Sequence, residues 1–158
     1  MKLAPRFGTV DVTADGEGLI SHAGTALLTE LADRSGLTSA MSAALAGTRE
    51  RRSAHDPGRV LVDVAVMLAD GGECVTDLET YRGQERLFGA RASETTTHRV
   101  IKSVDERLLG EIRAARAAAR ARVWDAGARP DTLTFNIDAT LLTAHSDKEL
   151  AAGNYKHG

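Results

Sequence analysis

The sequence predicts a mainly α N-terminal helical domain, residues 1–130, followed at 131–158 by the first strand or strands of a truncated α/β domain. Apolar residues recur at helical spacing through most of the helical part. After a Gly/Pro-containing break, Leu133, Phe135 and Ile137 alternate with polar neighbours, which is a strand pattern. The composition agrees, because 42% hydrophobic and 27% charged residues with only 4% aromatic ones are typical of a soluble, Ala- and Arg-rich helical protein.

The formal net charge of -2 argues against a protein that coats nucleic acid indiscriminately. The charge is unevenly distributed, because residues 91–129 carry nine basic and five acidic side chains, a local net charge of +4. No apolar run is long enough to span a bilayer, and the single cysteine, Cys74, has no partner for a disulfide or a zinc site. We expect a cytoplasmic, nucleoid-associated protein that makes no membrane contact.

The N-terminal part is predicted to form a short strand and two helices. Val10 and Val12 alternate with polar residues ahead of a turn at 15–18. A helix with a serine cap is expected over residues 21–36, and a second helix over residues 38–46. The residues expected on the buried face of the first helix are Ala23, Leu27, Leu28 and Leu31.

A further helix is predicted to begin at Asp56-Pro57. An acidic cap followed by proline at the first helical position suits the unpaired amides of a helix start. Gly71-Gly72 ends this helix, and another is expected over residues 73–81. The residues expected to point inward from the first of the two are Val60, Leu61, Val64, Met67 and Leu68.

A basic loop precedes the Asp56-Pro57 helix. Residues 47–54 contain Arg49, Arg51 and Arg52 with few apolar side chains, which is typical of a solvated loop. These arginines would contact phosphate only if the neighbouring elements bind DNA.

A helix capped by Ser93 has the composition of a DNA-recognition helix. Hydroxyl, imidazole and basic side chains near the start of such a helix reach base edges and phosphates in the major groove. Its buried side is expected to hold Val100, Ile101 and Val104. An ordinary exposed polar helix explains the same residues, since three consecutive threonines are poor helix formers. The expected DNA contacts are Thr96, Thr97, His98, Arg99 and Lys102.

A long helix is predicted from Asp105 to Asp125. Arg113, Arg116 and Arg120 share one face of it and are expected to lie along a phosphate backbone, although such arginines also suit a solvated surface. The apolar stripe beside them consists of Leu108, Ile112, Ala115, Ala119 and Val123.

The last predicted element is a strand that places Asp138 near its end, where catalytic groups are often held. The segments Phe135–Thr140 (Phe-Asn-Ile-Asp-Ala-Thr), Ala144–Ser146 and Gly153–Lys156 resemble the first catalytic block of DDE-type insertion-sequence transposases. The upstream segments Gly18–Gly24 and Asp56-Pro57 fit the same group.

This resemblance implies a cut-and-paste transposase with a ribonuclease-H-like catalytic domain. In that family three acidic residues hold two divalent cations, normally Mg²⁺, and Asp138 matches the first as catalytic residue and metal ligand. Two such cations activate a water or a 3′-hydroxyl and stabilise the leaving oxygen. Asp147 and Glu149 are interpreted as loop charges, so the chain is expected to be an N-terminal fragment that lacks the other two ligands and is inactive alone.

The implied partner is DNA that carries the terminal inverted repeats of a mobile element. A homodimer through an open strand edge is a further expectation. A stand-alone helical DNA-binding module and a helical protein-interaction domain remain alternatives. A phosphatase of the haloacid-dehalogenase type is disfavoured, because its nucleophilic aspartate would fall at Asn136, whose amide cannot attack phosphorus.

Overall fold

The computed structural model describes residues 22–49 and 54–138, and this part of the chain is mainly helical. Its α-helices are α1 (Thr25–Arg34), α2 (Leu37–Ala44), α3 (Pro57–Ala69), α4 (Glu79–Arg82), α5 (Glu85–Phe88), α6 (Glu94–Lys102) and α7 (Glu106–Val123). Shorter elements are 3₁₀ turns at Ala46–Thr48 and Val75–Leu78 and a π-turn at Trp124–Ala128. Across these described ranges, no helix is long and apolar enough to cross a membrane.

Several predicted features lie outside the described residues. They are the strand with Val10 and Val12, the turn at 15–18, the Ser21 cap, Arg51 and Arg52 of the basic loop, and the family segments beyond Asp138.

Helix α3 is the centre of the fold, and α1, α2 and α6 all pack on it. Asp56 caps it as predicted: its side chain accepts a hydrogen bond from the Arg59 amide at 2.9 Å, and Pro57 occupies the first helical position. Gly58 brings α2 and α3 close together, because a Cβ atom there would lie 2.2 Å from the Ser42 amide nitrogen. Any larger residue at this position would push the two helices apart.

Two apolar clusters form the core of the described residues. One contains Ala26, Met67, Leu78, Tyr81 and Phe88. The other contains Ala32, Met41, Val62, Val66 and Ala115. Helix α3 supplies side chains to both clusters, so it ties the α4–α5 side of the molecule to the α2–α7 side.

The predicted inward face of α3 is confirmed in part. Val60 and Met67 are buried as expected. Leu68 is 54% exposed, so its predicted burial is wrong. Val62 and Val66 take the inward positions because they meet α2 and α7 in the second cluster.

The buried face of helix α1 is the face opposite to its leucines. It begins at Thr25 after Gly24 and buries Thr25, Ala26, Thr29 and Ala32. These short side chains allow α1 to lie close to α2 and α3, so the predicted buried face is wrong. The residues of that face are exposed instead: Ala23, Leu27, Leu28 and Leu31.

The helix predicted over residues 73–81 forms as two shorter elements. The 3₁₀ turn Val75–Leu78 comes first, and α4 follows it directly. The Asp77 side chain accepts hydrogen bonds from the amides of Glu73 at 2.8 Å and Cys74 at 3.0 Å. It thereby satisfies donors that precede the turn, in the manner of a helix cap.

Ser93 caps α6 as predicted, and Asp105, the predicted start of the long helix, caps α7. Ser93 accepts a hydrogen bond from the Thr96 amide at 3.3 Å, and Asp105 accepts one from the Leu108 amide at 2.7 Å. The buried stripe of α7 is confirmed by Leu108, Ala115 and Ala119, with Ile112 packed against the second cluster. In α6, Ile101 is 39% exposed and its predicted burial is wrong, since it lies in the last turn, beyond the buried part of the helix.

Beyond α7 and the π-turn the helical structure ends, and residues 132–138 form neither helix nor strand. Gly127 has φ +103°, a conformation that glycine adopts without strain. Residues 132–138 pair with no other strand of the described ranges, so the predicted first strand and the domain boundary stay predictions. Leu133, Phe135 and Ile137 are 54%, 81% and 98% exposed.

Candidate nucleic-acid interface and Asp138

Helix α6 presents three of its predicted DNA contacts to solvent. His98, Arg99 and Lys102 are all exposed. Nε2 of His98 lies 3.6 Å from Oε1 of Glu94, one turn earlier. An exposed pair of this kind contributes little to stability and is easily exchanged for another partner. The three side chains therefore lie where nucleic acid can reach them.

The two threonines at the start of α6 have different surroundings. Thr97 is 0% exposed, and its Oγ1 donates a hydrogen bond to the Ser93 carbonyl oxygen at 3.1 Å. The expected DNA contact through Thr97 is therefore wrong, because the side chain faces the protein interior. Thr96 is half-buried, and its Oγ1 accepts a hydrogen bond from the Ser93 hydroxyl at 3.0 Å.

Two of the three predicted DNA-contacting arginines of α7, Arg113 and Arg120, interact with the protein's own side chains. Nη1 of Arg113 lies 3.5 Å from Oε1 of Glu106, and both side chains are well exposed. Arg120 lies over the ring of Trp124, with its guanidinium carbon 5.2 Å from the ring centroid. Arg116 and Arg120 also border an apolar cleft.

This cleft lies between α1, α3 and α7 and has a volume of about 380 Å³. Leu28 and Leu31 line it from α1, Val66 from α3 and Val123 from α7. Two of the three leucines that α1 leaves out of the core therefore form walls of the cleft.

Helices α6 and α7 are anchored on different parts of the molecule. Helix α6 packs on α3 and on the 3₁₀ turn Val75–Leu78, whereas α7 packs on α2. The DNA surface expected over residues 93–122 therefore consists of two helices that pack on different parts of the core.

A buried ion pair fixes the chain to α3 just before α6. Nη1 of Arg91 lies 3.0 Å from Oδ1 of Asp63, and the two side chains are 1% and 6% exposed. The Arg91 guanidinium also lies over the rings of Tyr81 and Phe88, 5.1 and 5.2 Å from their centroids. The sequence patterns above do not predict this ion pair. One sign of it is Asp63 within the apolar run of α3, since aspartate is almost never buried unless it is paired.

Asp70, at the end of α3, collects side-chain hydrogen bonds from three residues. Thr25 Oγ1 donates to Oδ1 and the Tyr81 hydroxyl donates to Oδ2, both at 2.5 Å, and Nδ1 of His22 contacts Oδ2. Burial by itself would raise the pKa of Asp70, but the bonds from Thr25, Tyr81 and His22 outweigh it and lower the pKa. Burial, and then the bond to Asp70, raises the pKa of Tyr81. No motif in the sequence indicates this cluster.

Asp138 is exposed at the end of segment 132–138. Within the described part of the chain, no three His, Cys, Asp or Glu side chains form a group that could hold a metal ion. One carboxylate cannot hold a pair of divalent cations. The described residues therefore do not fit a two-metal centre by themselves.

Comparison with protein families decides the family. The family described as transposase DDE domain, group 1, matches residues 6–158. The chain belongs to the DDE transposases. The match runs through the helices as well as the segment around Asp138, so the helical region is itself part of the transposase pattern.

Because the chain belongs to the DDE transposases, its partner is DNA. The same assignment excludes the phosphatase alternative. No curated protein and no solved structure matches the chain.

Proposed function

We propose that the helical region of this transposase binds the terminal inverted repeats of a mobile element and that α6 makes the principal contacts. The observation that carries the proposal is the exposed polar face of α6, with His98, Arg99 and Lys102, on a helix whose opposite side is fixed by the buried Thr97. Short helices held in this way enter the major groove of DNA and present side chains to base edges and phosphates.

Charge supports the same assignment. Arg99 offers a planar set of donors that suits phosphate or the edge of guanine, and Lys102 offers a compact positive charge. Thr96, half-buried at the edge of this face, is a further contact in the proposal. Arg113, Arg116 and Arg120 add long-range attraction to the phosphate backbone and make fewer direct contacts, because they also serve Glu106, the cleft and Trp124.

Asp138 belongs to the catalytic half of the proposal. It supplies one of three carboxylates of a ribonuclease-H-like domain, which holds Mg²⁺ for cut-and-paste chemistry when all three are present. The exposed Leu133, Phe135 and Ile137 fit this assignment, because a strand of that domain is covered by neighbouring structure. Asp138 alone makes no catalytic centre, so the helical region taken by itself acts through binding. We assign the protein to the cytoplasm, in association with the nucleoid.

A DNA-binding titration tests the proposal. Fluorescence anisotropy of the 158-residue chain with a duplex taken from the DNA flanking its gene should give an affinity that falls steeply with salt, since phosphate contacts release counterions. The variant His98→Ala/Arg99→Ala/Lys102→Ala should bind more weakly. The control Arg82→Ala/Arg86→Ala, which removes two exposed arginines from α4 and α5, should bind like the unaltered chain.

A protein-interaction domain is the second candidate, and the apolar cleft favours it. Clefts between helices that expose leucines are used to bind amphipathic helices. DNA binding that is absent, or that does not change with salt, would support this candidate over the first. A homodimer through residues 132–138 is a related proposal, since Leu133, Phe135 and Ile137 are exposed and follow a strand pattern whose open edge would pair with a second copy.

A further inference from the structure

We propose that the apolar cleft between α1, α3 and α7 binds an amphipathic helix that carries acidic side chains along one edge. This site goes beyond the proposed DNA binding, because none of the described residues that line the cleft belongs to α6. It also gives the protein-interaction candidate a partner of definite chemistry. A partner helix in the cleft and DNA on α6 would contact different helices of the same chain.

The cleft is a groove with helical walls and an apolar floor. It is lined from Leu28 to Ser35 along α1 and from Arg116 to Val123 along α7, so each wall is about two turns, or about 10 Å, long. The floor comes from α3, which contributes Val62, Ala65, Val66 and Ala69. Helices pack by setting the side chains of one into the grooves of another, so a groove of this length suits a further helix.

The α1 wall exposes leucines that the core does not use. Leu28 is 36% exposed and Leu31 is 55% exposed, although both line the cleft. Apolar side chains three residues apart on one helix meet the apolar face of a partner helix. A small-molecule site buries about 70–90% of its ligand, whereas a wall as open to solvent as Leu31 favours a longer partner.

Positive charge lies along the α7 wall of the cleft. Arg116 and Arg120 are one turn apart, both are exposed, and none of the described lining residues is acidic. Arg120 stacks on Trp124, but stacking uses the face of a guanidinium and leaves its N–H groups directed outward in the plane. Carboxylates one turn apart on a partner helix would therefore meet both arginines in charge-assisted hydrogen bonds.

The acidic side chains of α1 do not compensate these arginines. Neither Glu30 nor Asp33 lines the cleft. Asp33 instead accepts a hydrogen bond from the Thr38 hydroxyl at 2.5 Å, and its Oδ1 lies 3.2 Å from Nη2 of Arg59. The α7 edge of the cleft therefore keeps a positive charge that an acidic partner would complement.

A peptide titration of the 158-residue chain tests the site. The probe is a synthetic helix with leucines at helical spacing and glutamates along one edge, and its counterpart has lysine in place of each glutamate. We expect the acidic peptide to bind about tenfold more tightly, since only its side chains pair with the two arginines. The formal net charge of -2 favours the basic peptide, so a preference for the acidic one identifies the local arginines.

Leu31→Asp and Leu68→Asp are the matched pair of variants for the apolar wall. The two leucines are 55% and 54% exposed, but only Leu31 lines the cleft. Leu31→Asp should weaken binding of the acidic peptide about tenfold or more, because an apolar anchor is lost and a negative charge enters the cleft. Leu68→Asp should bind like the unaltered chain, and equal thermal unfolding midpoints check that both variants fold.

A charge reversal tests the α7 edge separately. Arg116→Glu/Arg120→Glu should reverse the preference, so that the lysine peptide binds more tightly than the glutamate peptide. The control Arg82→Glu/Arg86→Glu makes the same change of net charge on α4 and α5, away from the cleft. It should keep the preference for the acidic peptide.

Equal binding of the two peptides, or no binding of either, would overturn the proposal. A dimer in sedimentation velocity that Leu31→Asp dissociates and Leu68→Asp leaves intact would also overturn it, because a second copy would then fill the cleft. The DNA proposal is tested separately, since the peptide titration contains no DNA. Leu31→Asp should keep the DNA affinity of the unaltered chain.

Discussion

Helices α6 and α7 both carry basic side chains, but they are attached to the core in different ways. Helix α6 is short, follows the buried Arg91–Asp63 pair, and buries Thr97. Helix α7 is twice as long and is held by an apolar stripe that includes Ala115 and Ala119. Polar contacts therefore fix the direction of α6, whereas apolar packing holds α7.

The difference extends to their exposed faces. His98, Arg99 and Lys102 of α6 are exposed to solvent, whereas Arg116 and Arg120 of α7 border an apolar cleft and Arg120 lies over Trp124. A row of arginines on a helix is thus no sufficient sign of a nucleic-acid surface. The groups around the arginines decide whether their guanidiniums can contact a ligand or instead contact side chains of the protein.

The largest effect is expected from removing the anchor of α6. Asp63→Ala leaves Arg91 buried without its ion-pair partner, and breaking such a pair costs about 3–5 kcal/mol of unfolding free energy. Urea denaturation of the variant and the unaltered chain measures this loss of unfolding free energy. Glu79→Ala, which breaks the exposed 2.6 Å pair with Arg82, is the control and should cost less than about 1 kcal/mol. Equal losses for the two variants would mean that the buried pair does not anchor α6.

The next effect concerns DNA affinity through α6. His98→Ala/Arg99→Ala/Lys102→Ala should weaken binding to flanking-DNA duplex on the order of 100-fold, because at least two charged contacts are lost. Anisotropy at fixed salt measures the change. If this variant binds with an affinity within twofold of that of the unaltered chain, α6 does not make the principal DNA contacts.

A smaller effect is expected from α7. Arg113→Ala/Arg116→Ala/Arg120→Ala should weaken DNA binding by about threefold, since these arginines act mainly through long-range attraction that salt screens. The same anisotropy assay measures it, at two salt concentrations. A loss as large as that of the α6 variant would show that α7 lies directly on the phosphate backbone.

The smallest effect is expected at Asp70, which belongs to neither helix. Its pKa is lowered below the ordinary value of 3.8, so its contribution to stability is present above that value and is lost as pH falls through the lowered pKa. Asp70→Asn should therefore remove part of the acid dependence of the urea midpoint between neutral pH and pH 3. DNA binding at neutral pH should stay unchanged, and a weakened affinity would mean that the cluster also positions α6.

Local signals in the sequence predicted the helix starts well. Asp56-Pro57, Ser93 and Asp105 all cap helices in the structure, because a cap depends on residues within one turn of it. The apolar stripe of α7 was equally readable, since its buried positions recur at helical spacing.

Features that depend on distant residues could not be predicted in this way. The leucines of α1 indicate a buried face by spacing, yet all are exposed, and Leu28 and Leu31 line a cleft, because α1 packs its small residues against α2 and α3. Arg49 and His55 lie beside α6 only through the packing of α6 on α3. Residues 132–138 have a strand pattern, but a strand forms only with a partner to pair with.

Amide hydrogen exchange of the 158-residue chain, with and without flanking-DNA duplex, tests most directly whether α6 is the helix that contacts DNA. The account predicts added protection in Glu94–Lys102, with little change in Glu106–Val123. Protection that is confined to Glu106–Val123 would contradict it and would place the DNA on the long helix instead.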